Sequence, residues 1–256
     1  MATKTYSESE AAPFGERVRT NPRPALIWVG VTTILLALEA GALIRFGALV
    51  LGDTLAAIPG MGAPATLNSI AKAAGEMPTL LSRETIPNAG YYTGSGYEGT
   101  FAGLAPHLAW TLRVTLIYLY SFSFVAWIWV GYDWYRQHYR VADWTPRDDV
   151  VDRLRGHGWG IFGFLVVFMF IVMAVFAPAL GPTTVAKNIQ DPYGHEIKYY
   201  DTETNSVETI LVGQANLGSQ SKGTPQTNVG PWSYDDFGRF HPFGTLPSGK
   251  DLFTFI

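Results

Sequence analysis

The chain has 256 residues, 48% of them hydrophobic and 15% charged, with a mean hydropathy above zero, a balance that belongs with integral membrane proteins rather than with one or two soluble domains. A net charge of −3, with no basic patch able to neutralise a run of phosphates, argues against nucleic acid as a partner. The absence of cysteine excludes a disulfide framework, a thiolate metal site and a thiol nucleophile.

Residues 1–24 are polar, contain Lys4, Arg17, Arg19 and Arg23, and read as a loosely held cytoplasmic arm with little to bury. No small-residue cleavage site follows a short apolar run there, so the first apolar segment is expected to act as a retained anchor. That segment, Ala25–Ile44, has a single charge, Glu39, and predicts the first transmembrane helix, with Arg45 beyond its far end. Residues 52–107 are a connection rich in glycine, proline and tyrosine. It predicts one short helix over Ala65–Ala74 and a turn region at NAGYYTGSGYEGTF. Leu108–Val130 predicts the second span, interrupted by Arg113 and followed by a dense belt of Trp127, Trp129, Tyr132, Trp134 and Tyr135.

Residues 131–158 are basic, and Thr145-Pro146 opens a predicted helix in which capping and i,i+4 pairing account for Asp148, Asp149 and Asp152. Then come nineteen residues without a charge or strongly polar side chain, Trp159–Ala177, closed by Pro178. A helix of that length is about 28 Å long, close to the hydrocarbon thickness of a bilayer, and it is the third predicted span. Lys and Arg number four in the 24 residues of the arm, five in the 28 of the 131–158 connection, and two in the 56 of the 52–107 loop. The positive-inside rule therefore predicts a multi-pass protein of the cell membrane with a cytoplasmic N-terminus and everything after residue 180 external.

In the tail, Glu196–Tyr200 and Val207–Val212 flank the turn-like DTETN and predict a hairpin. A polar linker, Asn216–Pro231, and an aromatic, acidic cluster, WSYDDFGRFHPFGT, complete it. The expected fold class is thus all-α membrane protein: three transmembrane helices (25–44, 108–130 and 159–177) plus a polar external tail with a small β-hairpin. Its expected divisions are the arm 1–24, an N-terminal extension 25–149 and a region 150–256.

The most specific text is His241-Pro242-Phe243-Gly244-Thr245-Leu246-Pro247-Ser248-Gly249-Lys250-Asp251-Leu252-Phe253. Pro242 stiffens its approach, Gly244 and Gly249 permit tight turns, and Asp251 suits a helix N-terminus. It resembles the H-P-F-G-T-D-x-x-G-R-D-V/L-F signature of the C-type permeases of dipeptide and oligopeptide ABC transporters, with Leu246 in place of the usual acid and Lys250 in place of the usual arginine. The third span, preceded by a basic segment and ended by Ala177-Pro178, is similar to the N-terminal helix of that family, so the resemblance covers about residues 150–256. It implies a permease subunit that pairs with a second permease, receives peptide or a related solute from an extracytoplasmic solute-binding protein, and is driven by ATPase subunits. The E-A-A…G loop through which the family docks on its ATPase is not in this sequence. GKDLFTFI reads as the opening of a further helix, so the expectation is that a transport core follows. The competing expectation is a non-transporting membrane scaffold or relic of such a permease, its extra spans docking other subunits.

Charges inside spans are functional suspects. Glu39 and Arg113 each lie five residues inside the outer end of their predicted helices, and a structural ion pair between them is expected. The five histidines show neither i,i+4 spacing nor a carboxylate arrangement suited to a metal, and are expected to be solvated or interfacial. No phosphate-binding glycine loop and no nucleophile-elbow serine occurs, so no catalytic group, cofactor or metal is expected, and the protein is read as not an enzyme.

Overall fold

The computed structural model describes residues 12–59, 62, 64–77, 79–141 and 145–255. Among these the chain is mostly helical, with three small two-stranded sheets. It divides into two compact units, each built from two stretches of sequence: Met1–Thr79 with Leu119–Phe170, and Leu80–Tyr118 with Ile171–Ile256.

The first unit begins with α1 (Phe14–Thr20), α2 (Pro22–Leu38), α3 (Ala40–Ala56) and α4 (Ala65–Gly75). Two expectations change here. Residues 14–20 of the arm are helical, and the arm's Lys4 lies outside the described residues. The segment 25–44 is not one helix either: Glu39, at φ −119° and ψ 22°, breaks it, and helix resumes to Ala56 across residues expected to lie in the loop. The break has a packing consequence. After it, α3 buries Gly41, Ala48 and Gly52, while α4 buries Ala71 and Ala74. A methyl group added to Gly41 would lie 2.8 Å from Met77 Cβ and 2.9 Å from the Ala74 carbonyl, so small side chains set how closely the backbones approach.

The unit takes the greater part of α5 (Pro106–His138), all of α6 (Pro146–Gly156) and most of α7 (Gly158–Val175). Trp28 and Trp127 exchange indole hydrogen bonds with each other's carbonyls, both at 3.3 Å, beside Gly131, where a side chain would collide with the Trp28 ring. At the base, Asp148 is buried and closes a capping box with Thr145. It also accepts from both Arg140 Nη1 contacts (2.8 and 2.6 Å) and from the Tyr132 hydroxyl (3.0 Å), with Arg136 Nε at 3.3 Å. Burial alone would push its carboxyl up, but the hydrogen bonds from Thr145, Arg140 and Tyr132 outweigh it and hold the group well below the usual carboxylate range. Asp149 pairs with Arg153 at 3.2 Å across one helical turn.

Among the described residues two helices are long and apolar enough to cross a membrane, α5 with 33 residues and α7 with 18; α1 and α2 taken together would make a third, but they are bent by 97°. In α7 Val172 alone is buried, and Trp159, Phe162, Val167 and Phe170 are exposed. Aromatic and aliphatic groups on every face are stable against acyl chains and costly against water.

The second unit contains β1 (Tyr91–Tyr92) paired antiparallel with β2 (Tyr97–Glu98), the first residues of α5, and the single turn α8 (Ala177–Leu180). A π-helical turn (Ala186–Gln190) leads to β3 (Glu196–Asp201) and β4 (Ser206–Leu211), the expected hairpin, in register from Glu196 opposite Leu211 to Asp201 opposite Ser206. Then follow α9 (Val212–Gly218), β5 (Ser233–Tyr234) paired with β6 (Phe240–His241), and a closing 3-10 turn (Leu252–Phe255). An aromatic core holds it: Trp110 lies 5.6 Å from Trp232 and 5.8 Å from Phe240 between ring centroids, and its indole donates to the Leu180 carbonyl at 2.7 Å.

Gly41→Ala is expected to destabilise the first unit by about 1–3 kcal/mol through overpacking. Gly47→Ala, where a methyl group meets nothing within 4 Å, is expected to be neutral or slightly stabilising. Thermal unfolding of the two variants in detergent checks the pair, and equal melting temperatures would refute the close α3–α4 contact.

Candidate functional site

The signature folds as a double turn whose two glycines are demanded by the backbone. Gly244 has φ +82° and Gly249 φ +77°. A methyl group on Gly244 would lie 2.6 Å from the Val229 carbonyl, and one on Gly249 would overlap the Asn216 carbonyl. Leu246 N–H donates to the Lys250 carbonyl and Gly249 N–H to the Leu246 carbonyl, both at 2.8 Å, so Leu246 and Lys250 serve this turn through their backbones. Phe243 stacks on Phe253 at 5.2 Å, and the Pro242 carbonyl accepts the Trp232 N–H at 3.2 Å.

The stretch expected as a linker, Asn216–Pro231, is instead fastened to this turn. Its first residues belong to α9. Farther along, Thr245 N–H donates to the Val229 carbonyl at 2.9 Å, Thr245 Oγ1 accepts the Val229 N–H at 3.0 Å, and Asn228 Nδ2 donates to the Thr245 carbonyl at 2.6 Å. Residues 222–228 are exposed, as a polar composition suggests, while Ser221, Asn228 and Val229 bond to Pro247 and Thr245 of the signature.

His241 corrects the expectation of a solvated or interfacial ring, for it is 2% exposed. Its Nδ1 lies 2.6 Å from Asp251 Oδ2 and its Nε2 3.4 Å from Asp235 Oδ2. Burial opposes charge on the imidazole, but the two carboxylates prevail and raise its pKa above the ordinary histidine value. Burial likewise works against the Asp235 carboxylate, and its bonds to His241 and Arg239 reverse that and lower it. Arg239 Nε reaches Asp235 at 2.6 Å, Ser219 Oγ donates to it at 3.1 Å, and Arg239 Nη1 reaches Asn216 Oδ1 at 2.7 Å. Asn216 in turn donates to Asn188, which donates to Thr254 Oγ1 at 2.6 Å. Asp251 Oδ1 accepts the Phe253 N–H at 2.9 Å and starts the closing 3-10 turn.

Four separate segments thus meet on one buried polar network. Both nitrogens of His241 face carboxylates, which leaves the ring nothing with which to activate a nucleophile. Among the described residues no group of three or more His, Asp and Glu side chains is arranged to hold a metal. Two other histidines do local work: His107 Nδ1 sits 2.7 Å from the Tyr234 hydroxyl, and His157 Nδ1 accepts the Gly160 N–H at 3.0 Å at the start of α7.

Beside the network lies a cavity of about 620 Å³, reached by Arg83, Asn88, Arg113, Lys187, Lys198 and His241. Arg83 donates to the carbonyls of Pro178 (2.7 Å), Pro182 (3.4 Å) and Thr183 (2.7 Å); burial lowers its pKa, with partial relief from Glu84. Arg113, 1% exposed, donates to the carbonyls of Ile86 at 3.3 Å and Gly181 at 3.0 Å. Glu39 is buried in the other unit, and its pairing with Arg113 stays an expectation. Sequence reasoning missed Asp235, Arg239, Ser219, Asn188 and Asn216. The available signal was the Asp235/Arg239 spacing beside the signature, which reads as nothing until β5 and β6 pair.

The chain matches no family model, no curated protein and no solved structure.

A raised histidine stabilises most below its unfolded value of about 6.5 and loses that contribution as pH rises through its folded value; a lowered aspartate stabilises most above about 4 and loses it as pH falls further. The second unit is therefore expected to soften on the alkaline side, and His241→Gln to be less stable at pH 6 and to lose this alkaline dependence. Tryptophan-monitored melting across pH checks it, and a parallel profile for the variant would refute a charged His241.

Proposed function

We propose that the chain forms the N-terminal part of a permease subunit of an ABC importer for dipeptides, oligopeptides or related solutes. The observation that supports this best is the economy of the signature: His241, Gly244, Thr245, Gly249 and Asp251 each meet a separate demand of one buried turn. A loop with an incidental His-Pro and two glycines places no such demands on its neighbours. Lys250 and Leu246, which depart from the family pattern, act through backbone groups that tolerate the exchange.

On this reading the broken α2–α3 segment supplies the first crossing and α5 and α7 the next two, the N-terminus is cytoplasmic, and the second unit faces outward, where a solute-binding protein delivers its cargo. The basic 131–158 connection, with the Asp148 capping node, is then cytoplasmic. A second permease and two ATPase subunits complete the transporter, and transport proceeds by alternating access between the permease halves.

Deleting the gene in its own host is expected to abolish uptake of labelled di- and oligopeptides while leaving free amino-acid uptake intact. A tagged chain is expected to co-purify with ATPase subunits. Undiminished peptide uptake, with loss of some other membrane complex, would replace this proposal with the scaffold reading.

A further inference from the structure

We infer that a basic cleft between α3 and α4 binds the phosphodiester head group of an anionic phospholipid. The cleft, about 430 Å³ in volume, lies wholly within the first unit. Asn68, Lys72 and Glu76 recur every four residues along α4 and its C-cap, so they stand on one face. Arg45 comes from α3, on the stripe between buried Gly41 and Ala48 that meets α4. Its side chain runs past Gly75, where a methyl group would lie 3.5 Å from Arg45 Cδ and Nη1. Arg45, Asn68, Lys72 and Glu76 are all exposed, so a ligand can reach each of them.

The charges in the cleft are not balanced from within. Among the described residues two cations, Arg45 and Lys72, face one carboxylate, Glu76, which leaves a single positive charge; Asp53, farther along α3, does not line the cleft. The ion pairs of this unit lie instead within residues 133–155, and none of them engages Arg45 or Lys72. A phosphodiester carries one negative charge. The planar fork of Arg45 suits two of its oxygens, and Lys72 adds a mobile point charge.

The surroundings decide what carries the phosphate. Leu49, 41% exposed, lines the cleft, and Phe46 and Ile70 on the same two helices are exposed as well. A free phosphate leaves these side chains uncovered, whereas a phospholipid lays acyl chains on them while its head group fills the cleft. Depth agrees. Glu39 is the one charged residue between Arg23 and Arg45, so Arg45 is the first cation at the far end of the apolar segment, at the level of the phosphates. A zwitterionic lipid such as phosphatidylcholine would set its own cation against Arg45 and Lys72, which favours an anionic head. This inference rests on the membrane reading but not on transport, and it can fail while peptide uptake stands.

The test is native mass spectrometry of the purified full chain in detergent, titrated with phosphatidylglycerol, phosphatidylcholine and glycerol 3-phosphate. One phosphatidylglycerol is expected to bind per chain, about tenfold more tightly than phosphatidylcholine. Arg45→Gln with Lys72→Gln is expected to erase that preference. Arg19→Gln with Arg23→Gln, which removes as much exposed charge elsewhere in the unit, is expected to leave it intact. Melting in phosphatidylcholine nanodiscs verifies that both variants fold; if the first melts early, Lys72→Gln alone is expected to lower the preference by about threefold. Equal affinity of the unmodified chain for the two lipids would overturn the inference without any variant. So would equal losses in the two double variants, which would mark general surface charge, or glycerol 3-phosphate bound as tightly as the lipid, which would mark a soluble ligand.

Discussion

A buried imidazole held between two buried carboxylates is the constraint on which the second unit rests. Asp251 grips one nitrogen of His241 and starts the closing turn; Asp235 faces the other and is held in place by Arg239 and Ser219. Removing any member would leave a buried charge or a buried polar atom unmatched, which costs more than the bond itself contributes. Through Asn216 and Asn188 the same network reaches α9 and the π-helical turn, so segments separated by more than sixty residues are fixed by one set of hydrogen bonds. The glycines at 244 and 249 follow from it, because only a chain without Cβ can pass so close to Val229 and Asn216.

The first unit is governed by other physics. Its long helices are apolar on the outside, and small residues such as Gly41, Ala48 and Gly131 allow close backbone approach between them. Polar groups appear where the helices end. The Thr145–Asp148 capping box gathers Arg140, Arg136 and Tyr132, so a cluster dense in arginine is internally compensated rather than a plain positive surface.

Arg83 and Arg113 bind backbone carbonyls around Pro178 to Thr183, just after α7, and so hold a stretch that has few regular hydrogen bonds of its own. An arginine is suited to this because its planar fork can satisfy several carbonyls at once.

Composition and pattern by themselves determined the apolar helices α5 and α7, the short helix at Ala65, the β3–β4 hairpin and the capping at Asp148, because each depends on residues a few positions apart: an unbroken apolar run, a period of two around a turn, a Thr three residues before an Asp. Tertiary structure alone decided the break at Glu39, the docking of Asn216–Pro231 and the burial of His241. An apolar stretch reads as helix whether or not one residue leaves helical geometry to let the next segment pack. Polar residues read as solvated until other parts of the chain bring them partners. His241, Asp235 and Asp251 carry no spacing that marks them as a set, since what unites them is the pairing of β5 with β6 and the return of the final turn, contacts that exist only once the chain has folded.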